Sequence, residues 1–348
     1  MSPGAIAALS LLAFPPRALR LREMAPCPAL IPWGDRVVVV TDPPRVFDIA
    51  SERFELLGLP EDPTLLGLAE YAGRSFFLCA SPCGDSRLLE RSGDLWQEHE
   101  LPHARRIGDV TATAIAADGN ALVLLVSPWL YRFEAGEWAV VGVRRIAHER
   151  EYVLAPYPRH ALLMGRRLFL GYDYGEWGGD LVALDIDTGE LVELDGMARS
   201  ADMPVHSLTL DPRGRLWTAR GLSHSGLAEG GLYRLDGDRW STIAWNQGLY
   251  PVDAEAEMQP AGDWGLPPTS FEAVVFDRAG TAYLVTDYLG VLRQTSEGGW
   301  VRVTPGWPEY AYVQGAVLHG QSLIVALGDT GLTLVDIADG SMRRADPR

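Results

Sequence analysis

His160, His206, Glu272 and Gln314 fall at about the same place in four successive copies of a repeated apolar pattern. Each opens a short β-patterned run that follows a longer polar segment. Two imidazoles and a carboxylate at one place suit a divalent metal such as zinc. They suit equally an acid–base pair for hydrolysis or elimination. In either case His160, His206 and Glu272 are the expected catalytic or metal-holding groups. Gln314, together with Asp173, Tyr174, Trp177, His224, Glu229 and Trp264 from neighbouring segments, would line the ligand. The plain alternative is that these positions are polar because water reaches them. A one-residue slip in the alignment would also turn a strand residue to the other face.

Other chemistry is thinner. The chain has no lysine, so a Walker A lysine, a Schiff-base lysine and a pyridoxal-phosphate anchor are all excluded. His148-Glu149-Arg150-Glu151 lacks a second histidine at helical spacing and is not a zincin motif. Gly221-Leu-Ser-His-Ser-Gly226 is not the G-x-S-x-G elbow. Asp253, Glu255, Glu257 and Asp263 would offer oxygens to calcium, but their spacing is not that of an EF-hand and a solvated acidic loop is the simpler reading. Three cysteines, Cys27, Cys79 and Cys83, make no disulfide framework. Reduced thiols are the default and a local Cys79–Cys83 bridge is the alternative.

The elements that must position these residues repeat along the chain. A hairpin of the type Gly231-Leu-Tyr-Arg-Leu-Asp-Gly-Asp-Arg-Trp240 recurs, with anchors at Val46, Leu88, Leu130, Leu181, Leu232, Val291 and Leu332. The steps between anchors are 42, 42, 51, 51, 59 and 41 residues. A period of this length, with four strand-like runs per copy, is the signature of a propeller. Near-continuous apolar runs such as Leu122–Val126 fit strands covered on both faces by neighbouring blades. Trp96, Trp138, Trp240 and Trp300 recur just after the last hairpin turn of a copy, where blade-to-blade packing would use them. The expected fold is therefore all-β: a seven-bladed β-propeller of four-stranded antiparallel blades. It occupies 29–348, with 1–28 as a leader or ring-closing segment. Leu19-Arg-Leu-Arg22 alternates like a strand that would join the last blade.

Asp211-Pro-Arg-Gly-Arg-Leu-Trp217 and Gly231–Trp240 resemble the two-component-regulator propeller repeat, within the wider group that includes NHL-type and SMP-30-like propellers. Asp277-Arg-Ala-Gly280 and Asp118-Gly119 carry weaker versions. The chain departs from WD40, having no Trp-Asp pair at repeat ends. Gly178-Gly179 and Gly230-Gly231 are similar to kelch glycines but precede the third run of their blades. The resemblance implies a fold and little about function, since propellers host many.

In such a fold the segments joining second to third strands, and blade to blade, share one rim. The long insertions 143–159, 172–180, 220–230 and 245–270 all fall there, and long loops on one face of a rigid scaffold are the usual place for a site. Trp245, Tyr250, Trp264, Trp307, Tyr310 and Tyr312 would make an aromatic rim on the same face. The net charge of -16 excludes a nucleic-acid backbone as main partner. No apolar run is long enough to span a membrane. Gly4–Phe14 has the length of a signal-peptide core but lacks a basic residue before it and a cleavage site after it. A cytoplasmic protein is the expectation, an exported one the alternative, and Met24 is a candidate true start. The functional expectation is a propeller binding a small molecule or protein through its loop-rich channel face. The alternative is a metal-assisted hydrolase or lyase using His160, His206 and Glu272, the metal being zinc or calcium.

Overall fold

A sheet that is apolar on both faces has to be covered on both, and nearly every blade here has such second and third strands. In Leu122–Val126 and Ala282–Thr286 all five residues are buried. The computed structural model describes residues 30–345 apart from 42, 62, 81–85, 101–112, 127–128, 144–157, 176–177, 197–201, 225–226, 250–267, 308–311 and 329–330. Within these, seven antiparallel sheets follow one another along the chain, each built from consecutive strands. Six have four strands and that of blade 4 has three. The outer position of blade 4 is taken by the segment 191–195, bridged through Leu184 and Leu191. No residue described lies in an α-helix. The fold expected from the repeats is the one observed.

The inner strands are Leu30–Trp33, Thr64–Tyr71, Thr113–Ala117, His160–Met164, Val205–Leu210, Phe271–Phe276 and Val313–His319. Each touches the next, and the last touches the first, so the ring is closed. The core is distributed as seven apolar layers, one between each pair of neighbouring blades. The closing layer joins Leu30, Val37, Val39 and Phe47 of blade 1 to Ile324, Ala326, Leu332 and Leu334 of blade 7. All four strands of blade 7 come from Val313–Ala345. The segment Leu19–Arg22 lies outside the described residues, as does Gly4–Phe14.

The tryptophans after the outer hairpins do pack between blades. Trp96, Trp138, Trp240 and Trp300 each sit in the layer shared with the preceding blade. The Asp-x-x-Gly turns of the repeat also have a physical reason. Asp211 accepts bonds from the Arg213 and Arg215 amides at 2.9 and 3.0 Å, and from Trp217 Nε1 at 3.1 Å. Gly214 supplies the positive φ of +73° that the turn requires. One buried carboxylate thus fixes both the turn and the indole six residues later.

One sequence expectation is corrected. The segment 220–230 was expected to be a polar loop, but its described residues, 220–224 and 227–230, continue the sheet of blade 5. Leu216–His224, Leu227–Asp236 and Arg239–Leu249 form a three-stranded ribbon that runs past Arg220, the partner of Val205. Its ladder runs out to the pairs His224–Leu227 and Leu227–Leu249. The third strand makes this possible: Gly221 to His224 pairs only with a partner that is itself paired on its far side.

Trp240→Ala is expected to cost about 3–5 kcal/mol, because it removes a buried indole from an inter-blade layer. Exposed Val301→Ala should stay within about 0.5 kcal/mol. The midpoint of urea unfolding checks both, and equal shifts would contradict the layered core.

Candidate functional site

The inner strands of blades 5, 6 and 7 share a fault in their pairing. Between Val205 and Ser207, between Phe271 and Ala273, and between Val313 and Gly315, one residue has no partner on the second strand. The extra residues are His206, Glu272 and Gln314. A β-bulge frees a residue from the ladder and re-aims its side chain, so three of the four expected site residues are placed by the same device. His160 differs: it is the first residue of an unbulged strand and pairs with Gly171. The alignment that equated it with the others was therefore one residue out. Each bulge is followed by a small residue, Ser207, Ala273 or Gly315. Blade 2 has the same bulge at Leu66 before Gly67, where an added Cβ would press on Ile115 at 3.0 Å. A large–variable–small triplet at the start of an inner strand was the signal in the sequence.

The bulges bring charges together. His206 Nδ1 stands 3.1 Å from Glu272 Oε2 and 3.2 Å from the carbonyl of Phe271. Its Nε2 stands 3.9 Å from Asp173 Oδ2. Arg159 donates to Asp173 from Nη1 and reaches across to the carbonyl of Gln314, 3.1 Å from Nη2. Asp173 Oδ1 also accepts the Gly175 amide at 2.8 Å. Blades 4, 5, 6 and 7 are thus linked at the channel mouth by the series Arg159, Asp173, His206, Glu272. All four side chains are largely buried. Gln314 contributes its main chain, through the carbonyl that Arg159 bonds.

Burial would by itself deprive His206 of its proton, but Glu272 in contact and Asp173 beyond it outweigh both burial and the repulsion of Arg159. The imidazolium is held above its ordinary 6.5. Burial would raise Glu272 and Asp173; His206 and Arg159 reverse this and hold both carboxyls below their usual range. His160 behaves in the opposite way. Burial first, then the positive charges of Arg159 and His206, push it down to about 3. It is a neutral imidazole whose Nε2 is buried without a hydrogen-bond partner among the described residues. Both histidines line the central cavity of about 680 Å³, which runs between the inner strands toward Arg36 and His319 at the opposite rim.

This chemistry does not favour a metal. Among the described residues no three His, Cys, Asp or Glu side chains are grouped to hold one. The cation that Asp173 faces is Arg159, and His206 Nδ1 lies against Glu272 and the Phe271 carbonyl. The arrangement can instead donate a proton from His206 with Glu272 behind it, or hold polar groups of a ligand.

The remaining expected residues are dispersed. Tyr174 donates to Asp180 at 3.3 Å and packs by Tyr172, toward the layer between blades 3 and 4. Glu229 lies on the blade 5 ribbon, where Trp245 Nε1 donates to it at 3.2 Å and burial raises its pKa. His224 ends the first strand of that ribbon. Trp177 and Trp264 lie outside the described residues, as do Tyr250, Tyr310, His148 and the acidic stretch 253–263. Of the aromatic rim, Trp307 donates to the Thr286 carbonyl at 2.6 Å and Tyr312 is exposed. Cys79 is buried, while Cys27 and Cys83 are outside the described residues. Sequence reasoning missed Arg159 and Arg220. It also missed the buried group in which Thr269 Oγ1 and the Ser270 amide bond Asp287 Oδ1 at 2.6 and 3.0 Å, just before Glu272.

No protein-family model matches the sequence, and no curated protein matches it. Solved structures do. A protein from Lactobacillus plantarum is similar with a TM-score of 0.57 and 14% identity, over 90% of this chain and 92% of that one. The computationally designed Ika8 protein gives a TM-score of 0.52 and 11% identity, over 92% and 87%. YCF48 bound to D1 peptide gives 0.50 and 11%, over 82% and 83%. At such identities the likeness is one of fold.

The two histidines give opposite pH signatures. His206 has a raised pKa in the folded chain, so its contribution to stability is complete below 6.5 and is lost as pH rises through its folded value. His160, depressed to about 3, costs stability as pH falls below 6.5. Thermal melts from pH 4 to 9 should show His206→Gln least harmful at the alkaline end. They should show His160→Gln flattening the acid limb. Parallel curves for wild type and both variants would contradict these charge states.

Proposed function

We propose that the protein is a binding propeller that takes a small molecule or a protein segment at its loop-rich face, over the Arg159–Asp173–His206–Glu272 cluster. The observation that carries this reading is the run of three bulges. Each gives up a ladder position to turn a polar side chain or its carbonyl toward one mouth, and bulges concentrate next to sites. A charge network nearly out of water is costly to assemble and adds little that apolar packing would not. The blade 5 ribbon extends the same face. YCF48, a propeller of similar fold, carries a bound peptide, which makes a peptide a reasonable class of ligand to try. No helix among the described residues is long and apolar enough to cross a membrane.

The 3.1 Å contact between His206 and Glu272 supports a second reading, a hydrolase or lyase working by acid–base chemistry. His206 would protonate a leaving group or carbonyl oxygen, and Glu272 would stabilise the imidazolium. Arg159 would hold Asp173 in place.

Thermal-shift screening of peptide and small-molecule libraries tests the binding reading. Hits should lose their shift in Arg159→Met and His206→Gln and keep it in Arg36→Ala, a residue of the opposite rim. Hits that survive the first two variants and fail in the third would place the ligand on the wrong face. A panel of esters and lactones tests the second reading: turnover should vanish in Glu272→Gln and persist with chelator.

A further inference from the structure

Arg220 is 1% exposed, although it is a cation in the second strand of blade 5. It pairs with Val205 at the entry of the inner strand. At the matching places of blades 4 and 6 the chain has Gly171 and Thr286, which pair with His160 and Phe271. The guanidinium is directed at main chain from two segments. Its Nε donates to the Met203 carbonyl at 3.0 Å, Nη2 bonds the same oxygen, and Nη2 reaches the Gly179 carbonyl at 3.3 Å. Met203 lies three residues before His206. Gly179 closes the loop that begins with Asp173.

These two segments are docked closely. The Gly179 amide bonds the Asp202 carbonyl at 2.8 Å, and the Val205 amide bonds the Tyr172 carbonyl at 3.0 Å. A Cβ at Gly178 would strike the Asp202 carbonyl, and one at Gly179 would strike Tyr172 and Pro204. The residues bonded across this seam, Tyr172 and Val205, are the immediate neighbours of Asp173 and His206. We propose that Arg220 is the positioning residue of the mouth cluster, bonding both segments at once and so setting the separation at which Asp173 meets His206. This rests on the cluster being the working site, although its test needs no ligand.

The residue type fits the task. A guanidinium has donors that diverge in a plane and can hold two carbonyls in fixed relation, whereas an ammonium is a compact point charge. Burial lowers the Arg220 pKa to about 10, with Tyr233, Asp180 and Asp202 acting against it, so the group is still charged at neutral pH. An apolar side chain would fill the space with less desolvation. A buried cation here has a use beyond filling.

The test is a histidine NMR titration of wild type, Arg220→Met and Arg220→Lys, with the His206 signal assigned by its loss in His206→Gln. His319, exposed at the opposite rim, is the internal reference. Far-UV circular dichroism reports whether each variant is folded. The expected result is a His206 midpoint that falls toward or below the ordinary 6.5 in Arg220→Met and falls less in Arg220→Lys, with His319 unchanged. A folded Arg220→Met with the wild-type His206 midpoint would overturn the proposal. Should the methionine variant fail to fold, a lysine variant titrating as wild type overturns it equally. A ligand that binds Arg220→Met as it binds wild type, while the His206 midpoint has fallen, would support the positioning role and count against the loop-face function.

Discussion

Each blade is apolar on two faces, and only a closed ring covers both. The rest of the structure depends on this constraint. It explains why the core is a series of thin layers between sheets instead of one central mass. It explains the tryptophans after the outer hairpins of blades 2, 3, 5 and 6, each packed in the layer shared with the preceding blade. It also leaves the axis unfilled, because the inner strands can approach only so far before their backbones meet. A rigid ring around an open axis can hold side chains at its mouth in arrangements that a less constrained fold would relax.

What stands at that mouth is a charge series that is neutral as a whole. Arg159 and His206 alternate with Asp173 and Glu272, and no member is stable there alone. Removing one member of a buried set leaves the others uncompensated, which costs more than the intact set contributes. The four groups therefore act as a unit. His160 completes the logic by being neutral: a fifth charge beside Arg159 and His206 would be repelled by both. His206 is the imidazole of the series, and the two carboxylates hold its pKa above the ordinary 6.5.

Much of the fold was legible because a repeat reports itself many times. The apolar runs, the Asp-x-x-Gly turns and the tryptophans each recur, and each recurrence has the same physical cause in the blades that carry it. The candidate site was legible in part. His206 and Glu272 were found because they open equivalent strands, yet their convergence depends on bulges that periodicity does not reveal. His160 was aligned with them only by ignoring the extra residue those strands contain. The blade 5 ribbon was hidden because Gly221–Gly230 is glycine-rich and polar, and its strand character comes from pairing with the strand that follows, Arg239–Leu249. Arg159 and Arg220 were missed for another reason. Every basic side chain in this protein is an arginine, so the residue type carried no signal, and only the tertiary structure shows which arginines are buried.

If the bulged residues His206 and Glu272 form one electrostatic unit, a double-mutant cycle on the pair reads their coupling. Unfolding free energies of wild type, His206→Ala, Glu272→Ala and the double variant should be measured at pH 6 and again at pH 9. The prediction is a favourable coupling of about 0.5–3 kcal/mol at pH 6 that shrinks as pH rises through the raised folded pKa of His206. Additive effects at both values would contradict the cluster.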